Sequence, residues 1–261
     1  MRCRFSLWAL MAVSAMVLGA MPLSVHAGSP NVAAAADLKF ALSDIAGSFE
    51  KETGNKVKLS FGSSGNFARQ ITQGAPFELF LSADEDYILK VAADGWMQGE
   101  GHLYAIGRIA LLEPHGSPLL ADSELKDLVA AVADGRIQRF AIANPEHAPY
   151  GRAARAVLQR LGIWAPLQGK LVLGENVAQA AQFATSGSAQ GGIVAGSLIM
   201  SPEVAKLGTA AWIPENWHPP LRQRMALTRK AGDDARRFYD YLQQPAARAV
   251  FERYGFSLPV K

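Results

Sequence analysis

The sequence predicts an α/β fold with two lobes, each built from a mostly parallel sheet flanked by helices, and two observations support it. Short apolar runs typical of strands alternate with helix-periodic segments from residue 31 almost to the C-terminus, a pattern that produces layered α/β folds. The chain has 261 residues, of which 49% are hydrophobic and 19% are charged. It is therefore long and apolar enough for two hydrophobic cores, and a disordered chain is excluded.

Strands and helices follow each other along the chain in the order that such a fold requires. The predicted strands cover 31–36, 57–61, 79–82, 103–106, 109–112, 140–143, 171–173, 192–195 and 223–228. The first helix has apolar residues at helical spacing from Leu38 to Phe49 and ends at Gly54. The other predicted helices cover about 64–73, 83–93, a segment beginning at 122–123, 151–161 and 177–186, with two more after the last strand. Residues 212–220 predict an irregular connection, since proline and tryptophan are frequent there.

We infer a layout in which the chain crosses twice between the lobes. Boundaries near residues 107 and 221 assign 28–106 and 222–261 to lobe 1, and 107–221 to lobe 2. Each part is large enough for a core of its own. The C-terminal segment is then expected to return and complete lobe 1.

The N-terminal segment 1–27 predicts export. It begins with two arginines, continues with an apolar run over 5–21 and ends in a small-x-small sequence at 25–27, which is typical of a cleavable signal peptide. The chain's one cysteine, Cys3, lies inside this segment, so the mature chain has no disulfide or thiolate. We therefore expect a protein of the bacterial periplasm without stable membrane insertion.

The charge of the mature chain argues against a nucleic-acid partner. The formal net charge of +3 includes the two arginines of the signal. Without them 24 basic side chains remain against 23 acidic ones, and no run of four basic residues occurs. A nucleic-acid-binding surface needs a basic patch or stripe that this sequence does not predict.

Four predicted strand-to-helix turns carry the candidate site: Ala36-Asp37, Ser63-Ser64-Gly65, Pro149-Tyr150-Gly151 and Asn176-Val177. Ligands of open α/β sheets bind beyond the carboxyl ends of the strands. Helices that begin there direct free N–H groups and positive dipole ends at the ligand. Two turns come from each lobe, so together they predict a cleft for a small tetrahedral oxyanion. Taken singly, these turns have ordinary roles: Asp37 and Asn176 are expected to be helix N-caps, and Tyr150 is suited to packing.

Several segments bear a closer resemblance to a known family. They are Asn-Val-Ala-Ala-Ala-Ala-Asp-Leu at 31–38, Phe-Gly-Ser-Ser-Gly at 61–65, Gly-Ala-Pro-Phe-Glu-Leu-Phe-Leu-Ser-Ala-Asp at 74–84, Asn-Pro-Glu-His-Ala-Pro-Tyr-Gly at 144–151, Glu-Asn-Val at 175–177, Gly-Ile-Val at 192–194 and Phe-Glu-Arg-Tyr-Gly-Phe at 251–256. In this order, over essentially all of residues 30–258, the chain resembles the periplasmic molybdate-binding proteins of ABC transporters.

The resemblance implies a class II periplasmic-binding fold that closes on molybdate or tungstate and delivers it to permease subunits. It implies a monomeric binding protein rather than an enzyme, without a cofactor. Family members hold the oxyanion with backbone amides and neutral hydroxyls. The matching positions here are Ala36, Asp37, Ser64, Tyr150 and Val177. Among them Ser64 matches a hydroxyl donor, and Tyr150 and Val177 match amide donors.

Asp37 departs from the family pattern, in which serine or a threonine-asparagine pair stands at positions 36–37. A carboxylate about 4 Å from a dianion costs about 4 kcal/mol per unit charge at an effective dielectric constant near 20. We therefore expect Asp37 to cap its own helix, accepting from the amide of Lys39 or Phe40, and to point away from the cleft. Pairing with the Lys39 ammonium or binding a proton are the other ways of removing this charge.

Three alternatives remain open from the residues alone. The cleft is also suited to sulfate or phosphate, and Asp37 offers an acceptor for the proton of hydrogen phosphate. A metal-ion receptor is a second alternative, with possible ligands Asp37, Glu146, His147 and Tyr150. An exported hydrolase is a remote third, which would use Ser64, His147 and Asp84. The turn Gly62-Ser63-Ser64-Gly65 lacks the Gly-x-Ser-x-Gly pattern of a hydrolase nucleophile.

Overall fold

The computed structural model describes residues 28–259, so the predicted signal peptide lies outside the described residues. Ten strands form two five-stranded sheets. The strands are β1 (Asn31–Ala35), β2 (Lys58–Gly62), β3 (Leu79–Ser82), β4 (His102–Gly107), β5 (Ile109–Pro114), β6 (Phe140–Ala143), β7 (Leu171–Gly174), β8 (Gly192–Ala195), β9 (Gly208–Trp212) and β10 (Leu221–Leu227). Within 28–259 no helix is long and apolar enough to cross a membrane.

Helices fill the intervals between the strands. They are α1 (Lys39–Thr53), α2 (Ser64–Thr72), α3 (Glu85–Ala93), α4 (Lys126–Ala133), α5 (Pro149–Arg160), α6 (Trp164–Leu167), α7 (Val177–Thr185), α8 (Gly196–Ile199), α9 (Pro202–Ala205), α10 (Asp233–Tyr241) and α11 (Pro245–Arg253). Short 3-10 turns at Ala36–Leu38, Gln168–Lys170 and Glu215–Trp217 complete the described elements.

The two sheets have equivalent topologies. The strand order is β2-β1-β3-β10-β4 in the first sheet and β7-β6-β8-β5-β9 in the second. In each sheet the fourth strand pairs antiparallel with both of its neighbours, and the other pairings are parallel. That strand, β10 or β5, is the first strand after the chain crosses between the sheets. The predicted two-lobed α/β fold is confirmed, with the difference that each sheet is mixed: two of its four pairings are antiparallel, although four of its five strands run in the same direction.

Alternation along the strands divides the core of the first lobe between two faces of the sheet. Val32 and Ala34 of β1 pack in one cluster with apolar residues of α1, α10 and α11, including Phe49. Ala33 packs in another cluster with residues of α2 and α3, including Phe67. Because successive side chains of a strand point to opposite faces, both faces of this sheet are covered by helices.

Two local differences from the sequence prediction have physical causes. The predicted helix from 122–123 begins later, at Lys126, because Leu125 adopts a left-handed φ of 55°. The Asp122 carboxylate accepts from the amides of Glu124 and Lys126 and stabilises this preceding turn instead. Strand β9 was not predicted, since it is a partly exposed edge strand without clear alternation.

The lobe boundaries stay a proposal. The first sheet takes its strands from 31–107 and 221–227, and the second from 109–212, which supports crossings near 107 and 221. Gly107 and Leu221, which the predicted boundaries give to lobe 2, pair with each other at the end of the first sheet. The proposed crossings therefore lie at 107–109 and 212–221.

Candidate oxyanion site

The four strand-to-helix turns meet at one small cavity between the two sheets. The space between its lining atoms is about 190 Å³, part of it open to solvent, and the centre of a water molecule can reach about 10 Å³ of it. Its lining residues are Ala35, Ala36, Asp37, Gly62, Ser63, Ser64, Ala83, Ala148, Pro149, Tyr150, Asn176 and Val177. All five residues expected at the site are among them, and each is at most 3% exposed. None of these lining side chains is basic.

Helix geometry gives the cavity its hydrogen-bond donors. Ser64 is the first residue of α2, Val177 is the first residue of α7, and Tyr150 is the second residue of α5. Amides in the first turn of a helix have no acceptor within the helix. Pro149 opens α5 but has no N–H, so Tyr150 carries the first amide of that helix. The helix starts therefore provide neutral donors around one space.

The helix N-caps accept hydrogen bonds from amides other than those expected to bind the ligand. The Ser63 hydroxyl accepts from the amide of Asn66 at 3.4 Å, three residues into the turn. The Asn176 side chain accepts from the amides of Ala178 at 3.0 Å and Gln179 at 3.1 Å, as an N-cap does. The caps thus stabilise α2 and α7 without using the first amide of either helix. The predicted capping role of Asn176 is confirmed.

The Ser64 hydroxyl is oriented to donate. Its oxygen accepts a hydrogen bond from the Ala83 amide at 2.9 Å, and the side chain is fully buried. A hydroxyl has one proton in addition to its acceptor lone pairs. The Ala83 amide fixes the oxygen and leaves the proton of Ser64 for a ligand.

Asp37 does not cap its helix, so that prediction is wrong. Its Oδ2 accepts from the Tyr150 hydroxyl at 2.9 Å and from Gln223 Nε2 at 2.6 Å. The reason lies in its position, because Asp37 is inside the 3-10 turn whose N-cap is Ala35. Pairing with Lys39 does not replace the cap, since the Lys39 ammonium lies over the Phe40 ring at 5.3 Å.

The second oxygen of the Asp37 carboxyl differs from the first in its hydrogen bonding. Asp37 Oδ1 is buried and has no hydrogen-bond partner among residues 28–259. Burial raises the pKa of Asp37 from 3.8 to about 6, against the opposing effect of its bonds from Gln223 and Tyr150. Burial and the Asp37 charge also raise the pKa of Tyr150 well above the usual value. A buried carboxyl that takes up a proton readily thus lies beside the amide donors.

Gln223 was not identified from the sequence as a residue of the site. Its side chain hydrogen-bonds both Asp37 of the first lobe and Tyr150 of the second. It donates to the Tyr150 hydroxyl at 3.0 Å and also accepts from the Tyr104 hydroxyl at 2.7 Å. A Cβ on Gly107 would lie 2.3 Å from the Tyr150 hydroxyl, so only glycine admits this ring. The signal available in the sequence was an uncharged polar residue between two arginines in β10.

Polar contacts hold the lobes together around the cavity. The Gly65 amide donates to the His147 carbonyl at 3.0 Å. His147 Nδ1 lies 3.0 Å from the Ser63 hydroxyl, and the Arg152 guanidinium contacts Asp84. These contacts run between α2 and α3 on one side and residues 147–152 on the other, so the two lobes are closed on one another.

The residues proposed for a hydrolase are not arranged for catalysis. His147 contacts Ser63 rather than Ser64, and the Asp84 carboxylate caps α3 and contacts Arg152. A nucleophile, base and orienting acid must form a connected chain of hydrogen bonds. Ser64, His147 and Asp84 form no such chain.

The ligands proposed for a metal ion are likewise dispersed. Within the described part of the chain, no group of three or more His, Cys, Asp or Glu side chains is placed to hold a metal ion. Asp37 and Tyr150 bind each other, whereas His147 faces Ser63 and Glu175. The structure therefore does not favour the metal-receptor alternative.

Comparison with known proteins decides the family. The sequence profile of the bacterial extracellular solute-binding proteins matches residues 30–257. The chain belongs to this family. The molybdate-binding protein ModA of Rhodobacter capsulatus is 36% identical to it over 246 residues, which are 93% of each chain. ModA of Azotobacter vinelandii is 37% identical over 249 residues, 94% of this chain and 96% of that protein.

A solved structure shows the same architecture. The periplasmic molybdate-binding protein of Azotobacter vinelandii superposes on this solute-binding protein with a TM-score of 0.81 and 32% sequence identity. The superposition covers 89% of this chain and all of the other. The two lobes and the cavity between them are therefore those of a solute-binding protein, whose family transports solutes rather than transforming them.

Proposed function

We propose that this chain binds molybdate, and tungstate, in the interlobe cavity and delivers the oxyanion to the permease subunits of an ABC transporter. It acts in the periplasm as a monomer after removal of residues 1–27, and it catalyses no reaction. The observation that carries the proposal is the cavity itself, lined by helix N-termini and by Ser63 and Ser64, without a basic side chain. The names of its relatives point to the same ligand.

The donor set suits a fully deprotonated tetrahedral oxyanion. The proposed binding groups are the first-turn amides at Ala36, Asp37, Tyr150 and Val177, and the amide and hydroxyl of Ser64. Helix N-termini attract anions through these N–H groups and through the helix dipole. Each hydrogen bond to a charged group contributes about 1.5–3 kcal/mol. Several such bonds in a buried cavity give tight binding without a salt bridge.

The expected preference is for large oxyanions. The donors are fixed by the backbone at the starts of separate helices, so they cannot follow a smaller ligand inward. Molybdate and tungstate are expected to reach all of them at once, whereas sulfate is expected to leave some donors unpaired. A buried donor left without a partner costs about 1–3 kcal/mol.

Calorimetric titration of the mature protein tests the proposal. Molybdate and tungstate are expected to bind well above sulfate, and phosphate below all three. Equal affinity for sulfate would contradict the assignment to molybdate. Binding of divalent or trivalent cations in place of any oxyanion would favour the metal receptor.

A hydrogen-bearing oxyanion is a second candidate, because Asp37 Oδ1 is a buried acceptor without a partner among residues 28–259. If Asp37 stays ionised, hydrogen phosphate supplies the proton that this oxygen accepts. Phosphate would then bind more tightly than molybdate in the same titration. Asp37→Asn would weaken phosphate binding far more than molybdate binding.

A further inference from the structure

Asp37 creates an electrostatic conflict within the proposed site. Its side chain is 1% exposed and belongs to the lining of the cavity that is to hold a dianion. Two hydrogen bonds, from Tyr150 and Gln223, converge on Oδ2 alone. Oδ1 lies buried and has no protein donor among residues 28–259. An ionised carboxylate would therefore add a further negative charge and an acceptor to a cavity of donors that is to hold a dianion.

We propose that Asp37 takes up a proton on Oδ1 when the oxyanion binds, so that one proton enters the site with each dianion. This inference rests on the proposed function and names the chemistry by which the site selects its ligand. The neutral acid removes the repulsion and turns the acceptor of the lining into a further donor. The site then favours oxyanions that carry no proton of their own.

The arrangement of the hydrogen bonds assigns the proton to Oδ1. Oδ2 already accepts from the Tyr150 hydroxyl and Gln223 Nε2, and a protonated oxygen is a poor acceptor for two donors. The Gln223 amide is itself fixed by the Tyr104 hydroxyl, which donates to Oε1 at 2.7 Å. Its Nε2 is thus committed to donation, and Oδ2 is committed to acceptance.

Among residues 28–259, the groups around Asp37 provide no compensating cation. The ionisable side chains that face it are Tyr150 and Tyr104, and both have a pKa raised well above the ordinary value by burial and by the Asp37 charge. From α8, the neutral Ser197 hydroxyl donates to the Asp37 carbonyl at 2.7 Å. Both tyrosines stay protonated at neutral pH, so the Asp37 carboxyl is the group of this network that changes charge there.

The nearest basic side chains along the chain are directed elsewhere. Arg222 and Arg224 flank Gln223 in β10, and both pair with Glu85. Lys39 lies over the Phe40 ring. With its pKa near 6, Asp37 is mostly ionised in the free protein above neutrality, and the proton must come from solvent.

Proton uptake is measured by titrating the mature protein with molybdate in two buffers of different ionisation enthalpy at pH 7.5. We expect close to one proton per molybdate. By linkage, the dissociation constant should then rise about tenfold for each pH unit between pH 7 and 9. An uptake near zero together with a dissociation constant independent of pH would overturn the inference.

Asp37→Asn is the decisive variant because it has the shape of the protonated acid. Its amide oxygen accepts from Tyr150 and Gln223, and its NH2 donates from the position of Oδ1. The variant should show no proton uptake and no pH dependence. At pH 8, about two units above the pKa, it should bind molybdate up to about a hundredfold more tightly than the wild type. Persistence of the uptake in this variant would overturn the inference.

Two control variants separate Asp37 from other titrating groups. Asp234→Asn removes a buried carboxylate that pairs with Arg237 outside the cavity. His147→Gln removes the imidazole that contacts Ser63 at the edge of the cavity. Both are expected to keep the uptake of about one proton. Loss of uptake in His147→Gln alone would assign the proton to the imidazole and overturn the inference.

The same titrations distinguish this inference from the proposed function. Tight molybdate binding without proton uptake retains the proposed function and rejects the role of Asp37. Absence of molybdate and tungstate binding at every pH rejects the proposed function, and the inference with it.

Discussion

On folding, the Asp37 carboxyl loses its contact with water and gains two hydrogen bonds. This change is unfavourable while the carboxyl is ionised. Its pKa of about 6 lies above the ordinary 3.8, so the folded protein binds this proton more tightly than the unfolded chain does. The favourable contribution of the protonated Asp37 to the free energy of unfolding is fully present below about pH 4 and is lost as the pH rises through 6. The pKa shift of Asp37 corresponds to about 3 kcal/mol in this free energy.

Asp37→Asn is therefore expected to stabilise the protein in a pH-dependent way. Asparagine retains an acceptor for Tyr150 and Gln223 but does not ionise. Its free energy of unfolding should match the wild type near pH 4 and exceed it by up to about 3 kcal/mol at pH 8. Denaturant unfolding of both proteins at pH 4, 6 and 8, without ligand, measures this. An equal difference at all three values would contradict the assigned titration.

Ser64 combines a structural bond with a proposed ligand bond. Ser64→Ala removes the donor to the oxyanion, which should weaken molybdate binding tenfold to a hundredfold. It also leaves the Ala83 amide without its acceptor, so the free energy of unfolding should fall by about 1–3 kcal/mol. Calorimetric titration and thermal unfolding measure the two effects.

Ser82→Ala is the matched control for Ser64→Ala. Ser82 is also fully buried, and its hydroxyl bonds the backbone of Asp84 rather than lining the cavity. Its loss should reduce stability with little change in affinity. If both variants lower affinity equally, the Ser64 hydroxyl does not bind the ligand.

Residues that act through local sequence were predictable, and residues that act through distant partners were not. Asn176 caps α7 as its position before an apolar helix predicts. Asp37 also precedes a helix, but it contacts residues 113 and 186 positions away. The contact with Gln223 exists because β10 returns to the first sheet, and the contact with Tyr150 exists because α5 of the other lobe meets the cavity. No local pattern around Asp37 specifies either contact.

At the scale of elements, the capping of α7 offers a test of the anion site that leaves the fold unchanged. Asn176 caps the helix and also lines the cavity. Asn176→Asp should cap about as well but bring a negative charge to the cavity. We expect a change in stability within about 0.5 kcal/mol and a loss of oxyanion affinity of at least tenfold.

The Asn176→Ala variant gives the opposite pattern. It removes the acceptor for Ala178 and Gln179 and should lower the free energy of unfolding by about 1 kcal/mol. Its affinity should fall less than that of Asn176→Asp, because no charge is added. If the aspartate variant binds molybdate as well as the wild type, the cavity is not an anion site.

Strands were predictable where a short run of residues is continuously buried. Strands β3, β6 and β8 have the predicted bounds, since each is a fully buried run of four residues, apolar except for Ser82 at the end of β3. The short helices α6, α8 and α9 were missed, because four residues cannot show a helical period. Helix α3 begins at Glu85, two residues after its predicted start, because Asp84 is its N-cap.

At the scale of the whole molecule, the two-lobed fold followed from the alternation of elements, but the closed arrangement of the lobes did not. Closure brings together residues more than 60 positions apart, such as Ser63 with His147 and Arg152 with Tyr87. Each of these contacts is a hydrogen bond between two side chains. The sequence offers no period or composition signal for pairs of this kind.

Gly65 provides a way to test whether closure and binding are linked. A Cβ at this position would lie 2.7 Å from the carbonyl oxygen of His147 and 2.8 Å from the Tyr87 hydroxyl. The tyrosine hydroxyl is the end of a side chain and can move aside. The carbonyl belongs to the backbone of the other lobe and moves only if the lobes separate. Gly65 lies in the first turn of α2, where alanine is compatible with the helix.

Gly65→Ala should therefore leave each lobe folded and hinder their closure. We expect a melting temperature without ligand close to that of the wild type, and molybdate affinity reduced at least tenfold. Small-angle scattering should show the wild type contracting when molybdate is added and the variant contracting less. Gly47→Ala is the matched control, because a Cβ there meets no atom within 4 Å. Wild-type affinity and contraction in Gly65→Ala would show that this contact between the lobes is not required for binding.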